Sequence, residues 1–220
     1  MYYFLFLFIL FIIYSFIGWI IEMIVCGIEN KKIINRGFLV GPYCPIYGIS
    51  SILMIFVLKK YMDDTLVLFV MAIFICTTAE YLTSYFMEKI FHARWWDYSN
   101  IPFNINGRVC LTNSICFGFL GVLLLYFINP YITKYLGLIP KPLFYIFSIS
   151  ILIIFVSDVI TSFNIIHRLK LTADSVRKDY TEEITTKVKE IIMNKSFLSR
   201  RLIKAFPNIN FKLFNISRKR

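Results

Sequence analysis

The candidate functional residues of this sequence are Asp and Glu residues that lie inside or beside long apolar segments. Glu22, Glu80 and Asp158 fall within such segments, and Glu88 and Asp97 follow one of them. An ionised carboxylate in hydrocarbon costs about 3 kcal/mol or more, so each is expected to face a polar cavity or a partner charge. Alternatively, these carboxylates only hold the bundle together, and Glu22 and Glu88 reach the membrane–water interface.

Helical spacing groups these carboxylates with other polar residues. Glu22 shares one helix face with Tyr14 and Gly18, because the three positions step by four. Glu80 and Glu88 belong to a stripe with Thr77 and Ser84, and Asp158 is followed by Thr161 and Ser162. Asn113 lies at the start of a later apolar segment. Stripes of this kind face other helices or water.

Three arginines supply the opposite charge. Arg36 precedes the segment GFLVGPYCPIYG, and Arg94 and Arg108 flank the segment WWDYSNIPFNING. Because a guanidinium forms planar, bidentate pairs with carboxylates or phosphates, two outcomes stay open. The arginines form either internal salt bridges or a site for an anion.

The segment RWWDY, residues 94–98, concentrates this chemistry. Trp95 and Trp96 are expected at headgroup depth, where indoles anchor membrane proteins. Arg94 and Asp97 are expected to pair with charges at the mouth of the bundle. The cluster is therefore predicted to form a lid over a polar vestibule.

Glycine and proline interrupt the second apolar segment at GPYCP, residues 41–45. Broken helices at membrane depth frequently line binding sites in transporters, although such a segment is by itself only a turn. Cys44 lies in this break, but no histidine is placed to activate it as a nucleophile.

Composition determines the class of protein. The chain has 220 residues, of which 58% are hydrophobic, and its mean hydropathy is +0.69. Five apolar segments can each cross about 30 Å of hydrocarbon: residues 2–28, 38–58, 65–87, 109–128 and 142–166. The prediction is an all-α, polytopic membrane bundle of about five transmembrane helices.

Basic residues predict the orientation and the domain organisation. With five crossings, twenty Lys and Arg residues fall on the side of the C-terminus and four on the other side. The positive-inside rule then places the N-terminus outside and the C-terminus in the cytoplasm of a cell-membrane protein. Residues 1–166 are expected to form the bundle, and residues 167–220 a basic, amphipathic helical tail that contacts anionic lipid.

Several classes of function lack support. The basic residues are concentrated in the tail, which favours lipid over nucleic acid. The sequence contains none of the motifs GxxxxGK[ST], GxGxxG, HExxH or GxSxG, and its cysteines and histidines lack zinc-site spacing. No catalytic residue, metal or cofactor is therefore predicted, and enzymatic activity stays undecided, with non-enzymatic function favoured.

Three long motifs suggest a family. They are YSFIGWIIE at 14–22, NRGFLVGPYCPIYG at 35–48 and RWWDYSNIPFNINGRVCL at 94–111, and EYLTSYFMEKIF at 80–91 fits with them. Together they resemble the family named putative type IV ABC-transporter permeases, with Phe117 standing where a Trp is expected. The resemblance covers about residues 10–125 and implies a membrane subunit that works with a separate ATPase, in a homodimer or larger assembly.

Three hypotheses for function follow. The first is a transporter component with a cytoplasm-facing polar cavity. The second is a scaffold or sensor that recruits a partner through its tail. The third is a membrane enzyme acting on a lipid headgroup, in which the arginines hold phosphate and Glu80 or Asp97 serves as general base.

Overall fold

The structure is a computed structural model that describes residues 1–31, 37–91 and 93–177, together with 201, 210 and 211. Its helices are α1 (Tyr2–Asn30), α2 (Pro45–Leu58), α3 (Thr65–Phe91), α4 (Leu111–Leu123), α5 (Asn129–Gly137) and α6 (Lys141–Arg177). A 3-10 turn, Lys59–Tyr61, follows α2, and a π-helical turn, Leu124–Ile128, joins α4 to α5. The short strands are β1 (Ala93–Arg94), β2 (Asn104–Ile105), β3 (Val109–Cys110) and β4 (Asn210–Phe211).

In the part of the chain that the structure describes, four helical stretches are long and apolar enough to cross a membrane: Tyr2–Ile28, Thr65–Phe91, Leu111–Gly137 and Lys141–Ile166. Large apolar side chains are exposed on their outer faces, Phe4, Phe74 and Ile146 among them. An exposed face of this kind is what lipid solvates. The predicted all-α, multi-pass membrane bundle is therefore confirmed.

The second predicted span, residues 38–58, is interrupted at its start, where GPYCP was expected to break it. Its helix, α2, has only 14 residues and starts at Pro45, because residues 37–44 are irregular. The backbone amide of Cys44 donates to the carbonyl of Ser15, half-way along α1, at 2.9 Å. The chain therefore returns alongside α1 first as an irregular segment and then as a half-length helix, which we call the broken crossing (residues 37–58).

Close approach of α2 to α1 depends on one glycine. A Cβ atom at Gly48 would lie 2.6 Å from the backbone oxygen of Phe11. Gly121 on α4 similarly lets that helix approach Ala72 and Met54. In lipid the hydrophobic effect does not drive helices together. Small residues instead allow the close van der Waals packing that holds the helices against each other.

The π-helical turn accommodates Pro130. Proline inside a helix lacks an amide proton and clashes with the preceding turn, and a π turn is one way to absorb this. Just before the proline, the side-chain oxygen of Asn129 accepts a hydrogen bond of 2.7 Å from the phenol of Tyr14. The π turn therefore lies directly before the hydrogen bond that joins α1 to α5.

Helix α6 packs at the edge of the bundle. Only 11% of the residues in its most apolar stretch are buried, against 39% for α1. It is anchored by Phe144, which packs on Tyr2 near the start of α1, and by Phe155, which packs on Phe8 and Phe11. It continues to Arg177, and most of the predicted amphipathic tail lies outside the described residues.

Candidate functional site

A cavity of about 760 Å³ lies between α1, the broken crossing, α3, α4 and α6. Its lining includes the second half of α3, from Cys76 to Phe91, and Trp96 and Tyr98 of the following loop. Most of its wall is apolar, with aromatic side chains from every one of these elements: Phe11, Phe38, Phe86, Phe117 and Phe155. Glu22, Cys44, Glu80 and Trp96 of the predicted site residues line it.

Two carboxylates of the cavity are each held by a phenol. Tyr47 on α2 donates to Oε1 of Glu22 at 2.8 Å, and Tyr98 donates to Oε1 of Glu80 at 3.3 Å. Both tyrosines also line the cavity. The first pair joins α1 to α2, and the second joins α3 to the loop that follows it. Together the two hydrogen bonds connect four elements around the cavity.

Glu80 is the more enclosed of the two carboxylates. Its side chain is 5% exposed, and its second oxygen, Oε2, has no hydrogen-bond partner among the residues that the structure describes. No described cation pairs with it either. A buried carboxylate oxygen without a donor is costly, so Glu80 is incompletely satisfied by the described part of the chain.

The loop between α3 and α4 places Tyr98 over the cavity. Burial, together with the nearby charges of Glu80 and Glu22, raises the pKa of the Tyr98 phenol. The phenol therefore keeps its proton and serves as a donor to Glu80. Its backbone amide bonds to the carbonyl of Gly107 at 2.8 Å, which fixes the tyrosine within the loop.

Beside the cavity, the same loop is held by ion pairs. Arg108 lies 2.7 Å from Glu88, and Arg94 lies 3.6 Å from Glu88 and 3.2 Å from Asp97. None of these four residues lines the cavity. For Arg94 and Arg108 the structure thus shows internal salt bridges, one of the two outcomes left open by the sequence, whereas Arg36 lies outside the described residues.

Backbone contacts complete the loop. Arg94 donates to the carbonyl of Asn106 at 2.8 Å, and the indole of Trp96 donates to the carbonyl of Arg108 at 3.0 Å. Gly107 has a φ of 64°, and a Cβ there would collide with Ser99 and Asp97. Only glycine fits this turn without strain.

The two tryptophans have different environments. Trp95 is 4% exposed and packs against Phe38 and Phe91, so it is a core residue and the expectation of an interfacial anchor is wrong for it. Phe163 of α6 joins the same aromatic cluster. Trp96 is partly exposed and lines the cavity.

Asp158 holds the broken crossing to α6. Its Oδ1 accepts from the amide of Val40 at 3.0 Å, and its Oδ2 accepts from the amide of Gly41 at 2.7 Å. Ser162 bonds to both Val40 and Asp158. The carboxylate therefore satisfies backbone donors that the irregular segment leaves free, a role that the sequence did not indicate.

Arg201 of the tail contacts the same irregular segment. Its guanidinium donates to the carbonyls of Val40, at 2.9 Å, and Gly37, at 3.2 Å. Farther along, β4 pairs with β1 through Phe211 and Ala93. These described parts of the basic tail thus contact the two loops beside the cavity.

Asn113 is the remaining predicted residue, and it does not line the cavity. The neighbouring Ser114 is buried instead and accepts a hydrogen bond of 2.8 Å from Thr77 on α3. Among the described residues, no group of three or more His, Cys, Asp or Glu side chains could hold a metal ion.

Sequence reasoning missed the two phenols, Tyr47 and Tyr98, as site residues. A signal was available, because a tyrosine close to a buried carboxylate usually gives its hydroxyl a partner. The pairing itself could not be read from the sequence, since 25 positions separate Tyr47 from Glu22 and 18 separate Tyr98 from Glu80.

A family model described as "Putative ABC-transporter type IV" matches residues 9–163. This chain belongs to that family. Every residue that lines the cavity falls within the matched part, whereas Arg201 lies beyond it. No curated protein and no solved structure matches the chain.

Membership in the ABC-transporter type IV family agrees with the resemblance found in the sequence motifs. The matched part also extends farther than those motifs, because it includes the first two thirds of α6 with Asp158 and Phe163. All the elements that surround the cavity therefore belong to the family's shared region.

Proposed function

We propose that this chain is the membrane-spanning component of a transporter that is driven by a separate ATPase, and that the cavity receives the transported molecule. The observation that carries the proposal is the cavity itself, which is about 760 Å³ in volume and is lined in part by the buried Glu80. A cavity of about 300 to 1,000 Å³ is the usual size for a small-molecule site.

The broken crossing supports this proposal. An irregular backbone at membrane depth is tolerated where it lines a cavity, and transporters commonly bind their substrates at interrupted helices. Here Leu39, Cys44 and Pro45 contribute both to the interruption and to the cavity wall.

The proposed orientation places the ends of α1 and α3 on the cytoplasmic side. The loops that follow these two helices and the tail carry most of the basic residues of the chain, which favours the cytoplasmic side. These loops are also the surface on which we place the ATPase.

Five crossings are few for a translocation pathway, so we further propose that two copies of the chain form the working unit.

The lipid-headgroup enzyme has less support. That hypothesis relied on arginines to hold a phosphate, and Arg94 and Arg108 are paired with carboxylates. The scaffold hypothesis does not require a ligand in the cavity. It therefore predicts that Glu80→Gln leaves function unchanged, whereas the transport hypothesis predicts a loss.

The test begins with the tagged, full-length chain purified from the membranes of its own cells in mild detergent. We expect the preparation to contain an ATP-binding subunit and to hydrolyse ATP with sensitivity to vanadate. The same chain produced alone in a foreign host should lack that activity and serves as the control.

The preparation is then reconstituted in proteoliposomes. ATP-dependent accumulation of a small molecule, lost in Glu80→Gln at an unchanged basal rate of ATP hydrolysis, would support the proposal. A folded preparation without ATP hydrolysis, or transport that Glu80→Gln leaves unchanged, would overturn it.

A further inference from the structure

A row of apolar side chains on α3 runs from the outer surface of the bundle into the cavity wall. Its members are spaced by four or eight residues and are between 41% and 63% exposed: Val70, Phe74, Leu82, Phe86 and Ile90. A step of four residues exceeds one helical turn by about 40°, so the row winds around the helix. Val70 and Phe74 lie outside the cavity lining, whereas the other three belong to it. The wall is therefore continuous with a surface that lipid solvates.

Helix α2 provides a second row at the edge of the cavity. Ile49 and Leu53 line the cavity and are exposed, and Val57, one turn farther along, is exposed outside the lining. Because α2 has 14 residues and α3 has 27, part of α3 runs on without α2 beside it. The two rows therefore mark where the cavity meets the lipid-facing surface, between α2 and α3.

The hydrogen-bond donors of the aromatic wall are used within the protein. The four Tyr and Trp side chains among the lining residues each donate to a protein acceptor at 2.7 to 3.3 Å: Tyr14 to Asn129, Tyr47 to Glu22, Trp96 to Arg108 and Tyr98 to Glu80. Most of the other lining side chains are Phe, Ile, Leu or Met. A ligand is therefore held mainly by apolar contacts, as in other sites of this kind.

We propose that the cavity binds the hydrocarbon chain of a single-chain amphiphile, which enters from the bilayer between α2 and α3. The ligand has one chain because each of the two helices contributes one row of side chains to the entrance. This inference names the class of molecule that the proposed transporter carries. Only its transport rests on the proposed function, because binding to the purified chain requires no ATPase.

The probe is monopalmitoylglycerol that carries a diazirine at the end of its acyl chain. Its head group is uncharged, so the labelling reports on the chain rather than on the head group. The full-length protein in phospholipid nanodiscs is irradiated with the probe, and the labelled residues are identified by mass spectrometry. Unlabelled monopalmitoylglycerol is the competitor, and monobutyrylglycerol is its matched control with the same head group and a short chain.

We expect the probe to label Ile17 on α1 and Leu120 on α4, which line the cavity and are partly buried. Monopalmitoylglycerol should protect these two positions, and monobutyrylglycerol should not. Phe74 and Ile146 are exposed outside the cavity lining and serve as the internal control. Their labelling should continue in the presence of either competitor, because contact with the probe there is not saturable.

A bulkier side chain in the wall should exclude the acyl chain. Ala79 lines the cavity, and Ala79→Trp should raise the concentration of monopalmitoylglycerol that gives half-protection by about tenfold, because the indole occupies the same space. Thr78→Trp is the matched control on the adjacent residue, which is exposed outside the lining, and should leave this concentration unchanged. Thermal unfolding establishes that both variants are folded. Should Ala79→Trp prove unfolded, the protection pattern of the wild-type chain decides.

Three results would overturn the inference. They are labelling of Ile17 and Leu120 that monopalmitoylglycerol does not reduce, equal protection inside and outside the cavity, and wild-type affinity in folded Ala79→Trp.

The two proposals fail separately. ATP-dependent transport of some molecule without protection of the cavity positions would leave the proposed function standing and remove this inference. Protection of the cavity positions in a preparation without any ATPase would do the reverse.

Discussion

Glu88 and Arg108 form an ion pair of 2.7 Å that joins the end of α3 to the residue before β3, and their side chains are only 11% and 12% exposed. Arg108 also donates to Ser84 at 3.2 Å and lies over the rings of Tyr81 and Tyr85. The pair thus holds the loop that carries Tyr98 against the helix that carries Glu80, so it positions the cavity without touching it.

Removing one partner of this pair should be strongly destabilising. Arg108→Gln leaves the Glu88 carboxylate buried with less compensation, and we expect the free energy of unfolding to fall by about 3 to 5 kcal/mol. Asp97→Asn is the matched control, because Asp97 is 42% exposed and its pair with Arg94 should contribute about 1 kcal/mol or less. Denaturant titration in mixed micelles measures both. Equal losses in the two variants would contradict the assigned role.

Asp158→Asn should loosen the broken crossing. A carboxylate accepts from the amides of both Val40 and Gly41, whereas the NH₂ group of an asparagine cannot accept. Hydrogen exchange at these two amides should therefore accelerate by about tenfold, which corresponds to one lost hydrogen bond. Ser157→Ala is the control on the adjacent residue, since the hydroxyl of Ser157 donates within its own helix, to the carbonyl of Ile153. Unchanged exchange in Asp158→Asn would show that the carboxylate does not hold the segment.

Gly48→Ala should separate α2 from α1. The added methyl group would lie 2.6 Å from the backbone oxygen of Phe11, which cannot move without displacing α1. We expect a loss of stability of about 1 to 3 kcal/mol, as for other overpacked sites. Gly27→Ala places the same methyl group in open space on α1 and should be neutral. A thermal unfolding midpoint for Gly48→Ala that equals that of Gly27→Ala would exclude this close contact.

The loop after α3 should weaken in acid through Asp97. Partial burial raises the pKa of this carboxyl, but hydrogen bonds from Ser99 and the charge of Arg94 outweigh that effect, so the pKa lies below its ordinary value of 3.8. The stability that the carboxylate contributes is therefore complete above pH 3.8 and is lost as the pH falls through the lower, folded-state value.

The measurement compares the unfolding midpoints of wild-type chain and Asp97→Asn as a function of pH, with Asp63→Asn as the control. We expect the wild-type chain to be the more stable of the two above pH 3.8 and the difference to shrink below it. A difference that grows in acid would mean that the protonated form of Asp97 stabilises the loop.

Orientation can be tested with two exposed positions at opposite ends of the bundle. Ile105, in the loop after α3, is 58% exposed, and Leu138, between α5 and α6, is 71% exposed. In a Cys116→Ala background, an impermeant maleimide added to whole cells should label Leu138→Cys and spare Ile105→Cys. Labelling of Ile105→Cys alone would reverse the proposed orientation.

The fold class followed from the sequence because hydrophobic length and composition are local properties. A segment of about 20 apolar residues favours a helix in lipid, because a helix satisfies its own backbone without help from neighbours. GPYCP indicated that the second span is interrupted, but the sequence did not indicate which groups stabilise the irregular half. These groups are remote in sequence and include Asp158 and Ser15, which accept hydrogen bonds from its backbone.

Which residues are charged, and near which end of the bundle they lie, follows from the sequence, because charge and helical period are read directly from the chain. Their partners follow from the folded arrangement. Glu88, Arg94, Asp97 and Arg108 neutralise one another, whereas Glu80 lines a cavity and has one oxygen without a hydrogen-bond partner among the described residues. Pairing depends on distances of a few ångströms between segments that are remote in sequence, and packing alone sets those distances.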